Sequence, residues 1–224
     1  MLRKFPAGLL LSAIALVAQL PNEARFTPVF ENSQVAVYSL ELPARHRASA
    51  FQGTHDVIWL ALNDATVSFA GRDRSSAAEL KTGDVRFFPE FQLASVSNTG
   101  GVAAKGVLIE IKARGDMPAC GCSAAVERSV CGCGGGHLPA LWALGFGKIT
   151  LGGTTLRAGQ SFLGSSYRDD MLLVAVTDLD LKDDAAAQAP EIRLAAGEAR
   201  WLPAASHQFR NVGPEGARFV TVEF

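Results

Sequence analysis

The chain spells one ten-residue stretch twice, and this repetition constrains its fold more than any other feature. Residues 80–89 (LKTGDVRFFP) return as residues 194–203 (LAAGEARWLP), 114 positions later. In each copy a glycine is followed at once by an acidic residue, and the chain continues to an asparagine, Asn98 or Asn211. Because a period above 100 residues is too long for a solenoid, the sequence predicts two duplicated domains.

Short apolar segments at matching positions predict an all-β fold. Residues 57–62 and 171–176 are apolar runs at the same 114-residue offset, and each is followed by a polar turn. Residues 35–42 alternate as a strand does, whereas no amphipathic helix of three turns is evident before residue 112. Short strands separated by Gly, Asn and Pro turns are typical of a sandwich or a barrel.

The first 24 residues have the pattern of an export signal. Arg3 and Lys4 precede an apolar run over residues 7–18, which is too short for an ordinary membrane span. The alternative is a retained N-terminal anchor. We expect a mature protein that is exported to the periplasm or the medium, has no stable membrane span after signal removal, and meets oxidising conditions.

Charge composition excludes one class of partner. The formal net charge is -1, and charged residues make up only 19% of the chain without a basic stripe. A polyanion needs a cluster of Lys and Arg, so the sequence predicts no nucleic-acid partner and favours a small-molecule ligand.

The second copy of the repeated stretch resembles the second conserved motif of the cupins. The matching residues are Leu194, Gly197, Glu198, Trp201, Pro203, His207 and Asn211. Upstream, Asp170 and the apolar run 171–176 resemble the end of the first cupin motif. The resemblance implies a bicupin of two tandem double-stranded β-helix (jelly-roll) barrels, packed as an intramolecular pair.

The resemblance also implies domain limits and an oligomeric state. The barrels would span residues 25–115 and 144–224, and a Cys- and Gly-rich insert would occupy residues 116–143. Two barrels in one chain satisfy the pairing that single cupins need, so we expect a monomer that is a pseudo-dimer, or a homodimer.

A metal-binding cupin supplies two His and one Glu from its first motif and one His from its second, and neither copy here has that set. In the first copy Asp56 holds the Glu place and the second-motif His falls near Ala94, while His46 and His55 are poorly placed to join Asp56. The second copy keeps His207 and Asp170, which could hold Fe, Mn, Ni or Zn weakly. We therefore expect no cofactor, with a divalent metal as the alternative.

Two interpretations of the second copy stay open. His207, Asp170 and Tyr167 could form a metal-free acid–base set, since a carboxylate beside a His fixes its tautomer and raises its basicity. Alternatively, His207 is a satisfied polar residue that is hydrogen-bonded to Asp170 or to the backbone. The candidate ligand-binding residues of this half are Trp201, Arg210 and Asn211.

The insert concentrates every cysteine of the chain. Cys120, Cys122, Cys131 and Cys133 form two Cys-Gly-Cys triplets eight residues apart, and His137 follows them. In an oxidising compartment four close cysteines form two disulfides, although the pairing is open. The alternative is a thiolate cluster for Cu or Zn, with His137 as an optional ligand.

Three hypotheses about function follow. The first is an exported bicupin that binds a small polar or sugar-like ligand in its C-terminal barrel while the first barrel is structural. The second is a cupin enzyme, an isomerase or epimerase or a weakly metal-dependent dioxygenase, that uses His207, Asp170 and Tyr167. The third is a soft-metal protein that acts through the Cys-Gly-Cys triplets.

Overall fold

The computed structural model describes most of the chain outside the N-terminal segment and the insert. Its described ranges are residues 24–48, 50–51, 53–71, 75–89, 92–112, 141–146, 149–162, 169–185 and 191–224. The predicted export signal, the four cysteines and Tyr167 lie outside these ranges.

The prediction of an all-β fold is confirmed, since the described residues form strands and no helix. No part of the described chain forms a helix with the length and apolar character needed to cross a membrane. The strands of the first half are β1 (Thr27–Glu31), β2 (Val35–Leu42), β3 (Asp56–Ala61), β4 (Ala65–Ala70), β5 (Ser75–Leu80), β6 (Val85–Phe88), β7 (Ser95–Asn98) and β8 (Ala104–Ile111). Those of the second half are β9 (Leu141–Phe146), β10 (Ile149–Leu156), β11 (Met171–Ala175), β12 (Leu179–Asp183), β13 (Ile192–Leu194), β14 (Ala199–Leu202), β15 (Phe209–Asn211) and β16 (Ala217–Glu223).

The two halves repeat one antiparallel topology. In the first half a five-stranded sheet, β1-β2-β8-β3-β6, faces a three-stranded sheet, β5-β4-β7. The second half has the equivalent sheets β9-β10-β16-β11-β14 and β13-β12-β15. β2 and β10 begin 114 residues apart, whereas β8 and β16 begin 113 apart, so one residue is missing from the second copy after the repeated stretch.

Strand alternation divides the core into three apolar clusters. Trp59 on β3 and Leu173 on β11 belong to clusters enclosed between the two sheets of their own half. Their neighbours Ile58 and Leu172 belong to a third cluster, which joins the five-stranded sheets of both halves. Because both faces of these central strands are buried, β11 is apolar throughout and β3 is apolar after Asp56.

The glycine and the acid of the repeated stretch build a turn. Gly83 and Gly197 have φ of 82° and 90°, a left-handed conformation that glycine adopts without a Cβ penalty. Asp84 and Glu198 each accept the backbone N–H of the residue three positions earlier, at 2.8 Å. The repeated Gly–acid pair is therefore a local device that turns the chain into β6 and β14.

Candidate functional site

His207 lies buried in the second half and is held by two acceptors. Its Nδ1 is 2.6 Å from Oδ2 of Asp183, at the end of β12, and its Nε2 is 3.1 Å from the carbonyl oxygen of Pro203. The ring stacks nearly parallel to Phe209, with an interplanar angle of 9°. The His207 side chain is 8% exposed and that of Asp183 only 4%.

Both ring nitrogens of His207 face oxygen acceptors. The carbonyl of Pro203 can only accept, so Nε2 of His207 carries a hydrogen. Burial raises the pKa of Asp183, but hydrogen bonds from His207 and from the backbone N–H groups of Gln208 and Ala185 lower it further, and the pKa lies below its ordinary value. An ionised Asp183 requires a hydrogen on Nδ1 as well. Metal binding by His207 would therefore break one of its two hydrogen bonds, and with both nitrogens donating the ring has no free lone pair to accept a proton.

The expected pairing of His207 with Asp170 is wrong, because the carboxylate beside His207 is Asp183. Asp170 instead accepts the backbone N–H of Ala204 at 2.9 Å. It precedes Met171, an inner residue, so alternation places Asp170 on the opposite face, towards the other half. Asp56 has the same outward register in the first half, as the residue before Val57. Sequence motifs located these carboxylates near the right strands but on the wrong face.

Two of the predicted ligand-binding residues have structural contacts. Trp201 stacks on Phe30 of the first half, with centroids 6.1 Å apart, and also contacts Phe224 at 5.3 Å. It packs against the cluster that joins the halves. Arg210 donates to Asp184 through Nε at 2.7 Å and Nη2 at 3.1 Å on the surface. A ligand contact by Trp201 or Arg210 stays a prediction.

The third candidate, Asn211, uses its amide to hold a loop. Its Nδ2 donates to the carbonyl oxygens of Leu156 at 3.4 Å and Glu215 at 2.6 Å. Asn98 makes the equivalent bonds in the first half, to Leu42 at 3.0 Å and to the loop residue four positions on at 2.7 Å. The repeated asparagine therefore closes the same loop in both halves.

A second imidazole–carboxylate pair, which sequence reasoning missed, lies in the first half. Nδ1 of His55 is 2.9 Å from Oε1 of Glu110, at the end where β3 begins and β8 finishes. His55 alternates with Val57 and Glu110 with Leu108, and both of these are inner residues. The His55 side chain is 33% exposed and that of Glu110 is 10% exposed. Unlike His207, this imidazole is reached by solvent.

Tyr38 on β2 lies opposite Leu108, two residues before Glu110 on the same inner face of β8, and we call these residues the Tyr38–His55–Glu110 cluster. Burial raises the pKa of Tyr38, and the carboxylates of Glu110 and Glu31 raise it further, against a smaller opposing effect of Lys112. The phenol is therefore a neutral donor in the field of Glu110.

Aromatic rings adjoin this cluster. Phe51 contacts Tyr38 edge to face, with centroids 6.0 Å apart, and Phe26 edge to face at 5.3 Å. All three side chains are partly buried against the inner apolar cluster of the first half. They add an apolar surface beside the polar groups.

The Tyr38–His55–Glu110 cluster has the arrangement of a positioned base. An ionised Glu110 accepts from Nδ1–H of a neutral His55, which leaves the Nε2 lone pair available. Because Val57 is an inner residue and side chains alternate along a strand, alternation alone could have placed His55 on the inner face. The pairing with Glu110, 55 residues away, depends on the register of β3 against β8.

The second half has two acids at the corresponding positions. Asp169 corresponds to His55 and Glu223 corresponds to Glu110, because the two pairs have the same offsets as the strands that carry them. Burial raises the pKa of Glu223, and the charge of Asp169 raises it further. The solvent-accessible imidazole–carboxylate pair therefore belongs to the first half, although the sequence placed the ligand site in the second.

Metal ligands do not gather in the described part of the chain. Within it, no group of three or more His, Cys, Asp or Glu side chains could hold an ion. Since His207 is engaged at both nitrogens, the donor set around it does not fit a first-row metal. The four cysteines and His137, which were predicted to form disulfides or a Cu or Zn cluster, lie outside the described residues.

Solved structures share this arrangement of strands at low sequence identity. AerE from Microcystis aeruginosa has a TM-score of 0.63 and 11% identity over 89% of this chain and 97% of its own. A cupin 2 conserved barrel domain protein from Leptotrichia buccalis has a TM-score of 0.53 and 13% identity, over 93% and 92%. A variant of Bacillus subtilis oxalate decarboxylase has a TM-score of 0.57 and 11% identity, over 86% and 69%.

These likenesses define the fold, which is that of the cupins. The Bacillus enzyme is described with Mn(II) centres, and at this identity that property is its own. No family model and no curated protein sequence matches the chain.

Proposed function

We propose that this chain, which has the cupin fold, is a bicupin that binds a small polar, sugar-like ligand at the Tyr38–His55–Glu110 cluster. One observation carries the proposal: His55 is one-third exposed while Glu110 holds its Nδ1 at 2.9 Å. The pair thus presents a fixed, accessible imidazole at the end of the first half.

The chemistry of the cluster favours a hydroxylated ring. Tyr38 offers a neutral O–H donor, Glu110 an anionic acceptor and His55 an acceptor nitrogen. The cluster can therefore form hydrogen bonds with several hydroxyl groups of one ligand. Phe26 and Phe51 lie beside them, and aromatic surfaces suit the apolar C–H face of a saturated ring. Ligand sites commonly combine an apolar wall with a few placed polar groups.

Acid–base catalysis at the same cluster is the second candidate function. The observation in its favour is the carboxylate of Glu110 behind the imidazole, which fixes the tautomer of His55 by accepting from Nδ1. His55 would accept a proton from the bound molecule, and Tyr38 would donate a hydrogen bond to the oxygen on which charge develops. This would be isomerase chemistry without a metal.

Binding is tested by titrating protein with 15N-labelled histidine against a panel of methyl glycosides and polyols. We expect a saturable shift at His55 for at least one member, and its loss in Glu110→Gln. Arg193→Gln, which removes only surface ion pairs in the other half, should bind like the wild type. A panel that leaves His55 unmoved, or that shifts His207 instead, would contradict the proposal.

A further inference from the structure

Arg86 is a half-buried cation for which the described residues supply no hydrogen bond or ion pair. It lies on β6 between Val85 and Phe87, which pack in the cluster that joins the halves, so alternation points Arg86 to the inside of the first half. Burial lowers the pKa of Arg86, and the charge of Asp84 opposes this effect. Asp84 itself accepts a backbone N–H within its own turn.

Trp59 lies directly opposite Arg86 in the antiparallel pairing of β3 with β6. It is 1% exposed, and no acceptor among the described residues contacts its indole Nε1. Opposite residues on one face of a sheet have Cβ atoms about 5 Å apart. Two donors on neighbouring strands thus share this part of the inner face, and the part of the chain that the structure describes supplies neither with an acceptor, although buried donors are normally satisfied.

The second half supplies a natural comparison. Arg200 on β14 corresponds to Arg86, and it is also half-buried. Its opposite residue on β11 is Leu173, which has no donor. The arginine is therefore repeated, while the buried N–H beside it occurs only in the first half.

We propose that Arg86 and Trp59 form a binding site for the carboxylate group of a small molecule. The guanidinium can donate two parallel N–H bonds to a carboxylate, and the indole N–H can occupy a remaining lone pair. A monoanion fits better than a phosphate dianion, because Asp84 already places one negative charge close to Arg86. The site is separate from the Tyr38–His55–Glu110 cluster, so the proposal stands or fails independently of the proposed function.

The test follows indole N–H resonances of 15N-labelled full-length protein during titration with sodium acetate, with chloride keeping the ionic strength constant. Trp59→Phe identifies the resonance of Trp59. We expect a saturable shift of that resonance, and an acetate affinity at least tenfold weaker in Arg86→Gln. Arg200→Gln should leave the affinity unchanged, and Arg86→Lys should weaken it because the two-pronged geometry is lost.

Four results would overturn the proposal: no saturable shift, equal affinity in wild type and Arg86→Gln, equal loss in Arg200→Gln, or tighter binding of phosphate than of acetate. Arg86→Lys keeps the charge and serves as the decisive variant should Arg86→Gln fail to fold. Acetate affinity in that variant equal to wild type would also contradict the proposed geometry.

Discussion

Nδ1 of His207 lies 2.6 Å from Oδ2 of Asp183, and the first half has Ala94 and Phe69 at the same two positions. Phe69 packs edge to face on Trp59, with centroids 5.6 Å apart. One half therefore fills this part of its interior with an aromatic pair, and the other fills it with a buried ion pair. The residue that most resembles a cupin metal ligand is thus built into the core of the second half.

The His207–Asp183 pair should make stability depend on pH. The folded-state pKa of Asp183 is depressed, so its contribution is present above the unfolded value of about 4 and is lost as pH falls through the folded pKa. Asp183→Asn should lower the free energy of unfolding at neutral pH by about 1.5–3 kcal/mol, because the buried imidazole of His207 loses an ionised acceptor. The decrease of the free energy of unfolding with falling pH, measured by urea unfolding at several acidic pH values, should also be smaller in this variant.

The matched control for that experiment is Asp184→Asn. Asp184 pairs with Arg210 on the surface, where solvent screens the interaction, so little change is expected. Equal stability of Asp183→Asn and wild type at neutral pH would show that the buried pair contributes nothing.

Tyr38 should titrate above its ordinary value of 10.0. The chain has two tyrosines, so in Tyr167→Phe the ultraviolet absorbance of phenolate reports Tyr38 alone. Glu110→Gln should move the midpoint down towards 10.0, since it removes a charge that opposes phenolate formation, while the effect of burial stays. A midpoint that does not respond to Glu110→Gln would place the phenol outside the field of that carboxylate.

Gly106 should not tolerate a side chain. A Cβ there would lie 2.2 Å from Cζ2 of Trp59. In the second half the large residue, Phe219, stands at the position of Gly106, and the smaller Leu173 stands at the position of Trp59. We expect Gly106→Ala to cost about 1–3 kcal/mol by overpacking. Urea unfolding measures the cost, and Trp59→Leu should reduce it. Gly101→Ala, which meets no atom within 4 Å, is the control.

Substitution of Gly83 should lower the stability for two reasons, backbone strain and a steric clash, and a pair of variants can separate them. It has φ of 82°, and a Cβ there would lie 2.4 Å from Cζ of Arg218, whose guanidinium donates to the carbonyl of Thr82 across the two halves. Gly159 has φ of 73° and open surroundings, so Gly159→Ala should cost only the backbone strain of about 1–2 kcal/mol. Gly83→Ala should cost more, and Arg218→Ala should remove the excess in a double-mutant cycle.

For the cysteine insert the sequence leaves two expectations, disulfides or a metal–thiolate cluster, and one preparation of the protein can distinguish them. If the four cysteines, Cys120, Cys122, Cys131 and Cys133, pair as disulfides, protein exported to an oxidising compartment should contain no free thiol and no stoichiometric Cu or Zn. Thiol titration and elemental analysis measure both quantities. Metal that is lost on Cys→Ser would instead support the thiolate cluster.

Local features of the chain predicted most of the architecture. The repeated Gly–acid turn appears in both halves as a left-handed glycine closed by the acid, and the apolar run 57–62 covers all of β3 except Asp56. Motif resemblance did less well for the site. It selected Asp170, which is adjacent to an inner residue, and a shift of one position along a strand turns a side chain to the other face.

What the sequence determined by itself is the all-β class, the duplication and the positions of the turns, because alternation and turn chemistry depend on neighbours within a few residues. Only the tertiary structure decided that His207 meets Asp183 and that His55 meets Glu110. These partners are 24 and 55 residues apart, and each pair depends on which strand lies beside which and in what register. Register is a property of the packed sheets, so the side chains that chemistry needs are brought together only when the core has formed.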